Sequence, residues 1–270
     1  MKQVFTFQNN TNPTSLTPPY PEKPTAVNKT INQLLTRFNL AGIRKTLDLR
    51  LHEAQEDNLS YSEFLEILLH DEKENREDNR RKRLYQEARF PFEKTIDDFD
   101  FSFQPGIKKG EILELATCKY IEKHENIIFV GQPGTGKTHL SIALGLKALA
   151  YGYTVLFTTV WDMITTLQQS RADHTYKRKI DYYLKPDLLI LDELGYKTMG
   201  ETTVEDFFEI VSARYEKKAI IITSNRDFPS WDKIFFDKTL TGAIIDRLIH
   251  HCHTFILKGE SYRFQNRTRD

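Results

Sequence analysis

Cysteine is nearly missing: Cys118 and Cys252 are the only two in 270 residues. A pair so widely spaced forms neither a metal-ligand pattern nor a disulfide framework, which predicts reduced thiols and a cytoplasmic chain. No apolar run approaches the roughly 20 residues that span a bilayer, so no membrane partner is expected. The opening stretch, Met1 to Pro24, is polar and proline-rich and lacks the apolar h-region of a secretory signal. Net charge is absent too. Lys plus Arg and Asp plus Glu each number 38, which argues against a purely electrostatic nucleic-acid binder while leaving room for a local basic patch. There is no internal repeat. What is present, 39% apolar and 28% charged residues, suits a soluble chain with one large domain or a core domain and a small attachment.

Three regions follow one another. Residues 1–27 crowd Pro13, Pro18, Pro19, Pro21 and Pro24 into a polar stretch that cannot pack a core, and are expected to be a disordered tail. Residues 28–90 read as a small all-helical domain. A first helix opens near Asn28 or Thr30, carries Leu34, Leu35 and Phe38 on one face, and is expected to end at Gly42. Ile43, Leu47 and Leu51 mark a second helix. Ser60 and Glu63 form a capping box ahead of Phe64, Leu65, Leu68 and Leu69, and the helix they start is expected to run on through charged residues until Pro91. From residue 91 to 270 the pattern changes. Strands at Ile127–Val130, Thr154–Thr158, Leu188–Leu191, Ala219–Thr223 and Thr254–Leu257 alternate with helical stretches. That alternation predicts an α/β fold with a parallel sheet and helices on both faces.

The chemistry is carried first by residues 131–138, Gly-Gln-Pro-Gly-Thr-Gly-Lys-Thr, which satisfy the P-loop pattern between a strand and a helix. Gly131, Gln132, Pro133, Gly134, Thr135, Gly136 and Lys137 are the expected phosphate cradle, with His139 just beyond. Glycines let backbone N–H groups face phosphate oxygens, and the helix start adds a positive dipole. Lys137 reaches the β- and γ-phosphates of ATP, and the Thr138 hydroxyl ligates Mg2+. Leu188-Leu-Ile-Leu-Asp-Glu193 delivers two carboxylates to the same sheet edge. Asp192 is expected to hold the metal and Glu193 to act as general base. A P-loop kinase often lacks the second acid, and no acceptor pocket is visible, so hydrolysis is favoured over phosphoryl transfer to a small molecule. Ala219 to Asn225 is a further strand; if it lies beside the other two, Asn225 faces the γ-phosphate, and otherwise Thr223, Ser224 and Asn225 begin a turn.

Together with the P-loop, Leu-Asp-Glu-Leu-Gly, Ile-Thr-Ser-Asn, Asp246-Arg-Leu-Ile-His-His and Leu257-Lys-Gly-Glu-Ser-Tyr-Arg263 give a sequence that resembles the IstB-like AAA+ ATPases. These are helper proteins of insertion-sequence transposition, related to helicase loaders and replication initiators. The resemblance runs from about residue 28 onward. It implies Walker A roles for Lys137 and Thr138, Walker B roles for Asp192 and Glu193, and a sensor role for Asn225. It makes Arg247 the arginine inserted into a neighbouring subunit's site, and Arg263 a second sensor. The chain ends soon after Arg263, so little room is expected for the helical lid of typical AAA+ proteins. From its residues alone, Arg247 reads first as a surface neighbour of Asp246 with no catalytic role.

The same resemblance implies that the helical domain binds double-stranded DNA, that protomers assemble into a homo-oligomer with ATP sites at subunit interfaces, and that a partner transposase is recruited. The residues offer Lys29, Arg37, Arg44, Lys45 and Arg50, with Asp48 the only acid between Lys29 and Arg50. Arg37, Arg44 and Lys45 are the expected phosphate contacts. The Arg80-Arg-Lys-Arg83 run is a further candidate, equally compatible with a solvated face. A regulator of transposition is the leading reading; a helicase loader of replication with the same ATPase core is the alternative.

Overall fold

The computed structural model describes residues 29–235, 237–259 and 261–262; the tail 1–27 and Arg263 lie outside the described residues. Two compact units divide between Asp78 and Asn79, inside a long helix rather than at its end near Pro91.

The first unit holds α1 (Lys29–Arg37), α2 (Ala41–Glu56) and the first part of α3 (Tyr61–Ala88). The capping box at the start of α3 is made: the Ser60 N–H donates to Glu63 at 2.8 Å and the Glu63 N–H to the Ser60 hydroxyl at 3.3 Å. Ile43, Leu47 and Leu68 form a small core, against which Leu35, Leu51 and Phe64 pack. Two expectations fail here. Gly42 does not end α1; it sits in the first turn of α2, where a Cβ would lie 2.6 Å from the Asp71 carbonyl of α3. The glycine is a close-approach residue between two helices, not a stop signal. Leu34 and Phe38 do not share the buried face with Leu35, and remain exposed.

The second unit is a five-stranded parallel sheet in the order β2-β3-β4-β1-β5, with β1 Asn126–Gly131, β2 Val155–Thr159, β3 Leu188–Leu194, β4 Ala219–Ser224 and β5 Cys252–Leu257. Near-continuous apolar runs make these strands, because both faces are covered. One face sets Ile127, Phe129, Ile190 and Ile221 against α6 (Lys137–Ala150). The other sets Ile128, Val130, Leu189 and Ile222 against α7 (Val160–Ala172), α8 (Tyr176–Leu184), α9 (Glu201–Arg214) and α10 (Lys238–Ile249). The alternation of Ile127 and Ile128 between faces is the period-two signature of a strand. Helices over Lys109–Leu115 and Lys119–Glu122, called α4 and α5, precede the sheet, and a 3-10 turn spans Phe228–Lys233; with α8, these escaped the sequence reading. Among the described residues, no helix is long and apolar enough to cross a membrane.

Candidate active site

β4 lies between β1 and β3, so three neighbouring strands release their loops at one sheet edge. β1 leads into residues 131–136 and then α6, whose first residue is Lys137. Gly136 is left-handed, at φ 98°, and a Cβ on it would sit 2.6 Å from the Phe99 ring; both facts require glycine. Within the loop, the Thr135 hydroxyl and the Lys137 ammonium each donate to the Gln132 carbonyl at 2.8 Å. The Lys137 side chain is thus folded over the cradle and buried, its charge held where phosphate oxygens are to be met.

β3 brings Asp192 opposite the start of α6. The Thr138 hydroxyl lies 3.0 and 3.1 Å from the two carboxylate oxygens. Asp192 is 4% exposed. Burial pushes its carboxyl above the usual range, against the downward pull of the Thr223 and Thr138 hydroxyls and the Lys137 charge. Beyond Leu191↔Ile222 the β3–β4 ladder slips and resumes at Leu194↔Ser224. Asp192 and Glu193 therefore share the space opposite Thr223, as in a β-bulge. The Thr223 hydroxyl fills the gap: it donates to Asp192 and accepts the Glu193 N–H at 3.0 Å. Glu193, at φ 65°, points away from the ladder and is exposed. Thr223 and Ser224 are buried strand residues, so they do not begin a turn. Asn225 follows, and its side-chain oxygen is buried with no hydrogen-bond partner.

The structure gathers Lys137, Thr138, Asp192, Glu193 and Asn225 at this edge and leaves others elsewhere. His139 lines the cavity beside the P-loop, where its ring meets the Phe99 ring edge-on and its Nε2–H donates to the Thr95 carbonyl at 2.7 Å. Burial holds its pKa below the usual value, consistent with a neutral ring pinning the 95–99 segment to α6. Arg247 is at the far end of α10, donating to the Ala243 carbonyl and lying over the Phe208 and Tyr215 rings. Thr223 was missed as a site residue, as were Phe92, Phe99 and Phe103, which line a cavity beside the P-loop; loop aromatics without periodicity give no signal in sequence.

In the helical unit, Arg37, Arg44 and Lys45 are exposed. Arg44 and Lys45 donate to neutral side chains, the Thr36 hydroxyl at 3.4 Å and the Asn75 amide oxygen at 2.8 Å. Arg50 differs: it forks onto Asp71 with two 2.9 Å bonds and reaches Glu53 at 2.8 Å. In the 80–83 run, Arg80 donates to the Gly152 carbonyl and Arg83 faces Glu87.

A family model described as IstB-like ATP binding protein matches residues 33–270. An ATP-binding protein of insertion sequence IS21 from Pseudomonas aeruginosa is 39% identical over 87% of this chain and 89% of its own length. The ATP-binding protein of IS5376 from Geobacillus stearothermophilus is 38% identical over 88% and 94%. Among solved structures, a DNA replication initiation factor aligns with a TM-score of 0.51 at 26% identity, covering 66% of this chain and 53% of that one. DnaI aligns with a TM-score of 0.52 at 20% identity over 62% and 89%, a likeness of fold alone.

Proposed function

The chain belongs to the family of IstB-like ATP-binding proteins and has the P-loop ATPase fold, and from that premise we propose that it is an ATP-dependent, DNA-binding regulator of transposition. In this reading it assembles on target DNA and recruits or stimulates a partner transposase. One geometric observation carries the ATPase part: the ends of β1, β3 and β4 deliver a P-loop, two acids and an amide to one edge. The insertion-sequence relatives support the setting in transposition.

Each residue has a task. The P-loop N–H groups and Lys137 bind the β- and γ-phosphates. The Thr138 hydroxyl against a buried Asp192 carboxylate is a set of hard oxygen donors that fits Mg2+. Once bound, the ion supplies positive charge to the phosphate oxygens. Glu193 takes a proton from water as the water oxygen bonds to the γ-phosphorus and the bond to the β-phosphate oxygen breaks, giving ADP and phosphate. The Asn225 amide, which follows the end of β4, orients that water. On the helical unit, Arg37, Arg44 and Lys45 meet DNA phosphates through the sequence-independent contacts that position a protein on duplex.

Steady-state ATPase assays with and without duplex DNA test the reading. Turnover should be magnesium-dependent, should rise with duplex, and should vanish in Lys137→Ala, while Arg44 and Lys45 replaced together should remove the DNA response and leave the basal rate. Basal turnover indifferent to DNA, but altered by a replicative helicase, would shift the assignment to a helicase loader, the reading that the replication-factor likeness supports.

A further inference from the structure

The motif after β5 has no task in the scheme above, although its backbone lies on the P-loop. β5 pairs with β1 up to Gly131↔Leu257, so the chain leaving Leu257 runs beside the phosphate loop. Gly259 turns it, at φ 121°. Ser261 then seats on Gly134: a Cβ there would fall 2.0 Å from the Ser261 Oγ. The Tyr262 N–H donates to the Gly134 carbonyl at 3.0 Å. Its ring meets Phe103 edge-to-face, 5.1 Å between centroids and 76° between planes. Phe103, Phe99, Phe92 and Tyr262 line a cavity of about 200 Å3 that opens onto Gly134 to His139. A water takes about 30 Å3, so the cavity has room for a flat heterocycle.

Topology says which end of a nucleotide comes here. The acids that must meet the γ-phosphate sit on β3, on one side of β1, and β5 lies on the other side. A triphosphate laid over the P-loop with its γ-end toward Glu193 points its nucleoside toward β5. Aromatic walls on that side match the faces of a base.

We infer that Tyr262, together with Phe103, is the base-side wall of the nucleotide site: a purine of a nucleoside triphosphate packs against this pair, and the Tyr262 backbone ties base occupancy to the phosphate loop. The inference rests on the P-loop being the triphosphate site, and the ligand set separates the two ideas. Affinities of the full chain for ATP and for inorganic tripolyphosphate are measured by calorimetry in Tyr262→Ala, Tyr262→Phe and the parent. Tyr262 is 42% exposed, so truncation opens no core cavity. In Tyr262→Ala, ATP affinity should drop roughly five- to a hundredfold, the span of base–aromatic stacking. Tripolyphosphate affinity should hold, and Tyr262→Phe should bind ATP like the parent. Equal loss of both ligands would make the segment a buttress of the loop and overturn the inference, as would undiminished ATP binding. If the parent binds neither ligand, the phosphate-site reading itself falls, and this inference with it.

Discussion

The Thr223 hydroxyl serves two neighbours at once, donating to the Asp192 carboxylate and accepting the Glu193 amide. It replaces the backbone partner that the β3–β4 slip removes, and so aims one acid inward and the next outward. Valine has the same shape and offers neither bond. Hydrogen bonds to charged groups are worth about 1.5–3 kcal/mol, so Thr223→Val should lower ATP turnover roughly ten- to a hundredfold, with metal-free ATP affinity close to the parent. Thr223→Ser should restore most of the rate; single-turnover kinetics on the three proteins decide it, and parental turnover by the valine variant refutes the positioning role. Contiguous motifs made Lys137, Thr138, Asp192 and Glu193 legible in the sequence. Thr223 was not, because a polar residue before Asn225 reads equally as a turn, and only the register of two strands far apart in sequence gives its hydroxyl a task.

Among the elements, the strands were plain and several helices were not. Leu188–Leu191 or Ile127–Val130 are fully apolar, because both sheet faces are covered. α8 reads Tyr-Lys-Arg-Lys-Ile-Asp-Tyr-Tyr-Leu and buries only Ile180 and Tyr183, too sparse a stripe to announce a helix. α4 and α5 are short, at 7 and 4 residues, and their pattern never completes two turns. Gly42 misled for another reason: glycine marks a helix end by backbone freedom and a helix crossing by lack of bulk, and sequence does not separate the two. The crossing has a consequence. A Cβ there would fall 2.6 Å from both the Asp71 carbonyl and the Glu72 Cα, backbone atoms that cannot swing aside. Gly42→Ala should therefore destabilise the helical unit by about 1–3 kcal/mol, as overpacking does, despite alanine's better helix propensity. Nucleotide binding, housed in the other unit, should persist while duplex binding weakens. Urea titration followed by helical signal, with calorimetry for ATP, checks both; an unshifted transition means the helices part without cost.

At the scale of the whole molecule, the position of Arg247 decides whether one chain suffices. Arg247 precedes Leu248, whose carbonyl accepts from the Asn126 side chain at 3.2 Å. Asn126 opens β1 and the P-loop follows its far end, so Arg247 lies at the opposite edge of the sheet from its own phosphate site. The six residues of β1 rise about 3.3 Å each, a separation on the order of 20 Å that no arginine side chain bridges. If Arg247 touches phosphate, the phosphate belongs to another protomer. Specific activity should then climb steeply with protein concentration, and duplex should raise it further by gathering protomers. Arg247→Ala should bind ATP nearly as the parent does, while its turnover falls by a large factor; arginine fingers supplied in trans contribute about 10³–10⁵. Mixing gives the sharpest test. An Arg247→Ala protomer keeps its phosphate site and a Lys137→Ala protomer keeps its arginine, so two inactive proteins should recover part of the ATPase rate through mixed interfaces. Recovery should follow the product of the two concentrations and reach a plateau set by the share of mixed contacts. A mixture that co-assembles by light scattering yet stays inactive would remove Arg247 from catalysis, leaving it the packing role over Phe208 and Tyr215 that its own chain provides.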